Sequence, residues 1–195
     1  MLPLPHPFSI RRLAHLAYRN SHRLYPKPEE RSRRLRFFLR SLLSLRPSAT
    51  WFDALDNFAG LNACALHEPE MAEKLHRPYR RSGLSVKDRL ELVLDHNRIV
   101  SLLGWSDLVA NSYAKTVEIA NFTDREGSAL QLILARPGQF GKEGELALHL
   151  VDGDTRLYSA CFSFRKSDGI RELDVGCIQG PDLQDARQSV RDLTR

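Results

Sequence analysis

Cysteines are scarce in this chain, and the short motifs that mark common enzyme families are missing. The 195 residues contain three cysteines, Cys64, Cys161 and Cys177, without a C-x-x-C spacing. An odd number of cysteines and no recognisable secretory leader fit a reducing compartment better than a disulfide framework, so we expect a cytoplasmic protein. The sequence has no nucleophile elbow, Walker loop or G-x-G-x-x-G motif. The usual hydrolase, nucleoside triphosphate and dinucleotide signatures are therefore absent.

Long apolar runs are also absent. The first seven residues include three prolines, and no apolar stretch approaches the roughly 18 residues that a membrane span needs. We therefore expect neither an export signal nor a transmembrane segment. The composition, 42% hydrophobic and 27% charged, is that of an ordinary globular protein.

Positive charge is concentrated at the N-terminal end. Residues 1–46 hold eleven Lys and Arg against two Glu, a local charge of +9 in a chain whose total is +5. Such a cluster attracts anionic partners, for example phospholipid headgroups. Few aromatic residues lie between these cations and no nucleic-acid-binding motif is present, so we expect no nucleic acid partner.

Within this basic region the residues from Arg31 to Leu45 predict an amphipathic helix, which Pro28 and two acidic residues introduce. Its apolar and basic faces consist of Leu35, Phe38, Leu39 and Leu42, and of Arg33, Arg36 and Arg40. In one interpretation the leucines pack on the core and the arginines are solvated. In the other the helix contacts an anionic membrane surface or an envelope protein, so that the chain is peripheral at the inner membrane.

Helical periodicity gives way to strand periodicity near residue 116. We predict a basic, proline-containing arm over 1–28, a helical region over 29–115, and a sheet with a terminal helix over 116–195, with 115 and 116 inside one domain. The predicted strands are Thr116 to Phe122, Ser128 to Arg136, Glu145 to Val151, Arg156 to Arg165 and Arg171 to Cys177. Short turn sequences separate these strands, which indicates an antiparallel meander.

The predicted fold class is α+β, with N-terminal helices packed on the five-stranded, mainly antiparallel meander and a helix at the end. In the fourth strand Tyr158, Ala160, Phe162 and Phe164 share one face, which we expect to be the packed face. Ser85 is a good N-cap for the strongest predicted helix.

Three acid/base candidates stand out. Glu143 and Glu145 flank Gly144 at the start of the third strand, where an extended chain would direct both carboxylates to one side. A turn whose acids face water explains the same spacing. His96, beside the apolar stripe of the strongest helix, is the third candidate.

Two further patterns concern ligands. His67, Glu70, Glu73 and His76 have partial metal-ligand spacing, but Pro69 interrupts the segment, so we expect no metal site. Gln179 and Gly180, between the last strand and the terminal helix, could offer backbone N–H groups to a phosphate, although a plain connection explains them too.

Several segments together carry a family resemblance. They are Arg77-Pro78-Tyr79, Val86 to Leu90 with Asp95-His96, Glu143 to Leu150, Leu157-Tyr158 with Phe162 to Phe164, and Val175 to Pro181. The chain resembles the bacterial VirK/YbjX family, a domain of unknown function, from about residue 30 to its end. Because members of that family are longer, the sequence looks like an N-terminal portion or a shortened member. The resemblance implies roles in virulence, in surface localisation of an outer-membrane protein and in antimicrobial-peptide resistance, but no catalytic residues.

A second resemblance concerns layout alone. A meander that runs into a loop and a helix is similar to the first part of GNAT-type acyltransferases, which hold the acyl-CoA pyrophosphate at that loop. The alternative hypothesis is therefore an incomplete GNAT-like layout, an acyl-CoA-dependent acyltransferase acting on an envelope component. Gln179 and Gly180 would then bind the cofactor.

Overall fold

Helices occupy the first half of the chain and strands the second, as the change in hydrophobic period predicts. The computed structural model describes residues 9–79, 83–125 and 127–180. Its contacts divide the chain into a helical unit, Met1–Ala110, and a sheet unit, Asn111–Arg195. The predicted terminal helix and Pro181 lie outside the described residues.

The α-helices are α1 (Ile10–Leu24), α2 (Arg31–Leu43), α3 (Leu45–Asn57), α4 (Ala59–His67), α5 (Val86–Leu102) and α6 (Ser106–Ala114). Shorter 3₁₀ segments cover Pro28–Glu30, Pro69–His76 and Gly138–Phe140. Of the helices in the described ranges, none is both long enough and apolar enough for a transmembrane span.

Aromatic residues form the centre of the helical unit. Trp51 and Phe52 of α3 are fully buried, and the Trp51 indole donates a hydrogen bond to the Met71 carbonyl at 3.0 Å. The predicted cap of α5 is confirmed, because Ser85 and Asp88 form a reciprocal capping box. The cap fixes where α5 begins.

Helix α1 lies within residues 1–28, where the sequence pattern predicts a basic arm without a helix. The signal was present: Leu13, Leu16 and Ala17 repeat at helical spacing and are buried, and the Ser9 hydroxyl accepts a hydrogen bond from the backbone N–H of Arg12. The high local charge and the nearby prolines concealed this pattern.

The meander is confirmed. Strands β1 (Val117–Thr123), β2 (Ala129–Ala135), β3 (Leu146–Asp152), β4 (Thr155–Ser167) and β5 (Ile170–Gln179) form one sheet in sequential order. Every neighbouring pair is antiparallel. The turn sequences therefore gave the correct topology.

The packed face of β4 differs from the prediction. The buried residues are Leu157, Ser159, Cys161 and Ser163, and the aromatic face opposite is the more exposed one. The backbone N–H of Glu145 donates to the Ser163 hydroxyl at 3.0 Å, and the Cys161 thiol donates to the Phe140 carbonyl at 3.5 Å. Small polar side chains suit this face because main chain runs across it and requires hydrogen-bond partners.

Two glycines allow that crossing. A Cβ at Gly144 would lie 2.7 Å from the backbone of Phe162 in β4. A Cβ at Gly176 in β5 would lie 1.8 Å from the carbonyl oxygen of Glu143. Gly176 falls where the β4–β5 register shifts, between the pairs Phe162–Val175 and Cys161–Cys177. The segment before β3 thus reaches β5 only because both positions lack side chains.

We predict that Gly176→Ala lowers the free energy of unfolding by about 2–3 kcal/mol, because the methyl group must displace the Glu143 carbonyl. The matched control is Gly153→Ala, which meets no atom within 4 Å and suffers only its positive φ of 53°. Its cost should be about 1 kcal/mol. Urea unfolding followed by circular dichroism measures both, and an equal or smaller loss for Gly176→Ala would contradict the close contact.

Candidate functional site

Helix α2 turns leucines outward. Leu35, Leu39 and Leu43 are 58%, 49% and 86% exposed. Their i, i+4, i+8 spacing places them on one face, which we name the leucine ridge. The interpretation in which the leucines pack on the core therefore fails for Leu35 and Leu39.

Phe37 and Ser41 hold the helix in this orientation from its opposite face. The Phe37 ring lies 5.9 Å from the Phe52 ring and 5.7 Å, edge-on, from the His76 ring. Ser41 is fully buried, and its hydroxyl lies 3.3 Å from Nε2 of His76. A single buried aromatic residue and a small neighbour thus replace the expected leucine contact.

Arginines border the leucine ridge on both sides. Arg33, Arg36 and Arg40 lie on one flank and line a cleft of about 330 Å³. Arg31 and Arg34 lie on the other, beside an apolar notch of about 260 Å³ that includes Tyr18, Leu35 and Phe38. The structure therefore brings the three arginines that sequence analysis selected into one site.

The cleft, which we name the arginine cleft, also contains residues that sequence analysis did not select. They are Tyr25, Phe37, Glu73 and Arg77. Arg77 belongs to the Arg77-Pro78-Tyr79 segment that carries the family resemblance, and Glu73 precedes it by one helical turn. That spacing was a usable signal.

Glu73 organises one wall of the arginine cleft. Its carboxylate accepts hydrogen bonds from the Tyr25 hydroxyl and from Nε of Arg77, the latter at 2.5 Å. Nη1 of Arg77 also lies 2.8 Å from a carboxylate oxygen of Glu70. Burial and the Glu73 carboxylate raise the pKa of Tyr25 to about 12, so the phenol stays neutral. Glu70 and Glu73 raise the pKa of Arg77, although burial opposes them.

The arginines of α1 and α2 differ in their partners. Arg12 and Arg19 of α1 form ion pairs with Asp53 and Asp56 of α3 at 2.6 and 2.5 Å. By contrast, Arg36 and Arg40 form no ion pair among the described residues. Within the described part of α1 and α2, most of the arginines that make no ion pair therefore lie on α2.

The acid/base candidates lie in different units. His96 is 2% exposed inside the helical unit, whereas Glu143 and Glu145 belong to the sheet unit. Glu143 lies in a turn, before β3 begins at Leu146. Glu145 is 1% exposed, and its carbonyl accepts a hydrogen bond from the Tyr113 hydroxyl at 2.8 Å. The extended geometry expected for an acid pair is absent at Glu143, and their assignment as acid and base stays a prediction.

The expected phosphate loop begins later than predicted. Gln179 is the last residue of β5 and pairs with Ser159, so only Gly180 follows the strand within the described residues. A Cβ at Gly180 would lie 3.3 Å from the Tyr158 ring. The acyl-CoA hypothesis stays a prediction.

The partial metal-ligand pattern resolves into other contacts. Glu70 and Glu73 bind Arg77, and His76 packs on Phe37. Within residues 9–79, 83–125 and 127–180, no group of three or more His, Cys, Asp or Glu side chains could hold a metal ion.

Comparison with known proteins shows that the chain is similar to proteins of unknown function. The model of a family described as "Protein of unknown function (DUF535)" matches residues 26–195. The chain is 25% identical over 167 residues to the uncharacterised protein YbjX of Escherichia coli (strain K12). The alignment covers 85% of this chain and 51% of that relative, so the chain spans about half the length of the curated relative. No solved structure matches.

We expect acid to destabilise the helical unit through protonation of His76, which packs on Phe37 of the arginine cleft. Burial lowers the pKa of His76 to about 4 from its ordinary 6.5; Glu73 opposes this effect, and Arg40 and Arg89 add to it. The unfolded chain therefore binds the proton first, and the stabilisation is complete above pH 6.5 and disappears as the pH falls towards 4. We predict a loss of up to about 3 kcal/mol across this window.

The variant His76→Gln removes this titration and keeps a polar side chain beside Ser41. Its urea unfolding energy should fall less steeply than that of the unmodified chain between about pH 7 and about pH 4. Parallel curves for the two proteins would show that His76 does not contribute to the acid sensitivity.

Proposed function

Because the chain belongs to the DUF535 family of unknown function, the VirK/YbjX type that its motifs indicate, we propose that it is a peripheral protein that contacts an anionic membrane surface through α2. The observation that carries this proposal is the leucine ridge between two rows of arginines. Helices that lie in a membrane interface have this arrangement, with an apolar stripe bordered by Lys or Arg.

Two energetic contributions support the contact. Each Arg near an anionic leaflet contributes about 1 kcal/mol. A fully buried leucine contributes roughly 1.5–3 kcal/mol, and a ridge that enters only the interface gains part of that amount. Neither contribution alone gives stable binding, but three leucines and the bordering arginines act together because they share one helix.

In the free protein the leucine ridge stays in water, so the free energy of leucine burial is not gained. Leu43 is the most exposed of the ridge leucines, at the C-terminal end of α2. Tyr18 of α1 extends the apolar surface beside Leu35 and is itself exposed. Tyrosine suits a membrane interface because its ring is apolar and its hydroxyl remains hydrated.

The compartment is part of the proposal. We place the contact at the cytoplasmic face of the inner membrane, and the support is that Cys64, Cys161 and Cys177 form no disulfide bond within the described residues. The broader roles that the family resemblance implies, in virulence, outer-membrane protein localisation and antimicrobial-peptide resistance, stay predictions.

Co-sedimentation with phosphatidylcholine vesicles, with and without phosphatidylglycerol, tests the proposal. The chain should bind only the anionic vesicles, and binding should weaken as salt is added. The triple variant Arg33→Glu, Arg36→Glu, Arg40→Glu should bind at least a hundredfold more weakly, since each arginine contributes about 1 kcal/mol. The matched control is the same change at Arg98, Arg125 and Arg171, which alters the net charge equally.

The ridge has its own test in the same assay. Leu35→Ser, Leu39→Ser and Leu43→Ser together should weaken anionic-vesicle binding at least tenfold. Leu66→Ser with Leu102→Ser, at exposed leucines of α4 and α5, is the control and should bind normally. Equal binding to neutral vesicles, or ridge and control variants that bind alike, would refute membrane contact by α2.

A further inference from the structure

The arginine cleft is both concave and positively charged, and contact with a membrane surface does not require a concave site. Four arginines and one glutamate line it, and because Glu70 and Glu73 compensate Arg77, the positive charge of the cleft is carried by Arg33, Arg36 and Arg40. Tyr25 and Arg77 already occupy the carboxylate of that glutamate, Glu73. Charges of one sign in a concave site raise the local concentration of anions more than the same charges on a flat surface.

Arg36 and Arg40 are the groups best placed to bind a ligand. The described contact of the Arg36 side chain is a hydrogen bond from Nε to the Ser32 carbonyl at 3.3 Å, and Arg40 makes no ion pair in the described ranges. Within the described part of the chain, the ion pair of Arg33 is a 3.6 Å contact with Glu30. Guanidinium groups bind phosphate through paired N–H donors, so these side chains can exchange water for a phosphate without breaking a strong internal contact.

The opposite wall of the cleft is fixed in advance. Arg77 is held by two carboxylates, Glu70 and Glu73, so its position is determined before any ligand enters. Because these two carboxylates compensate its charge, Arg77 forms a fixed wall of the cleft, and the arginines of α2 supply the positive charge for a ligand.

Size and spacing indicate the class of ligand. Arg33 and Arg40 are separated by seven residues of helix, or about 10 Å along the axis. One phosphate is too small to contact the whole row, whereas a diphosphate or a phosphate with an organic substituent can span more of it. The volume of about 330 Å³ is at the small end of ligand-binding sites. Phe37 provides an apolar surface among the arginines.

We propose that the arginine cleft binds a terminal phosphate dianion, carried by a diphosphate or by a phosphomonoester, through Arg36 and Arg40 of α2. This binding goes beyond the proposed membrane contact and does not depend on it. The phosphate can come from a soluble compound or from a lipid headgroup.

Isothermal titration of the full chain with inorganic pyrophosphate at constant ionic strength tests the proposal. The double variant Arg36→Gln, Arg40→Gln should lose at least tenfold in affinity, while Arg98→Gln with Arg171→Gln should bind as the unmodified chain does. All four positions are exposed, so circular dichroism should show the same fold in both variants. Absence of pyrophosphate binding, or equal losses in the two variants, would overturn the proposal.

The leucine-ridge variant separates this proposal from the previous one. Leu35→Ser, Leu39→Ser and Leu43→Ser together should leave pyrophosphate affinity unchanged, even though vesicle binding falls. If the chain binds no vesicles at all but binds pyrophosphate through Arg36 and Arg40, the membrane proposal fails and the phosphate proposal holds.

Vesicles distinguish the two sources of phosphate. Phosphatidic acid carries a phosphomonoester, and phosphatidylglycerol carries a diester. Stronger binding to phosphatidic acid at equal surface charge, reversed by pyrophosphate and lost in Arg36→Gln, Arg40→Gln, supports a lipid headgroup. Pyrophosphate binding without that preference supports a soluble phosphate compound.

Discussion

The position of α2 depends on the burial of one aromatic side chain. Phe37 contacts Phe52 and His76 on the inner face of the helix, and Ser41, one turn later, is small enough to let the helix approach. A helix has only one inner face. Once an aromatic residue occupies it, the leucines at other angular positions must face water. The exposed ridge and the arginine cleft both follow from this choice of inner face.

Glu73 connects the stability of the helical unit to its surface charge. A buried carboxylate is unfavourable unless hydrogen bonds and an opposite charge compensate it, and Tyr25 and Arg77 provide both. The same contacts leave Arg77 oriented at the edge of the cleft. The carboxylate that stabilises the fold therefore also fixes one wall of the cleft.

Sequence patterns predicted the topology well and the side-chain faces poorly. Turn sequences determine which strands are neighbours, so the five-stranded meander could be derived without tertiary information. The faces of α2 and β4 depend on which neighbour they meet. The aromatic residues of β4 suggested one face, but the structure buries the opposite face, where Ser163 and Cys161 satisfy the main chain that crosses the strand. Likewise, Arg33, Arg36 and Arg40 were found by their spacing, whereas Tyr25 and Arg77 come from other segments and meet them only after folding.

The close approach of Gly176 to the Glu143 carbonyl has a consequence for how β5 finds its place. If the strand shifted by one residue along β4, Val175 or Cys177 would bring a Cβ into a space that ends 1.8 Å from an oxygen atom. Backbone hydrogen bonds alone do not distinguish one residue from the next, so Gly176 reinforces the register that the two-residue turn between β4 and β5 sets. Gly176 has no side chain and lies beneath the crossing peptide, so it disfavours pairing of β5 with β4 in a register shifted by one residue.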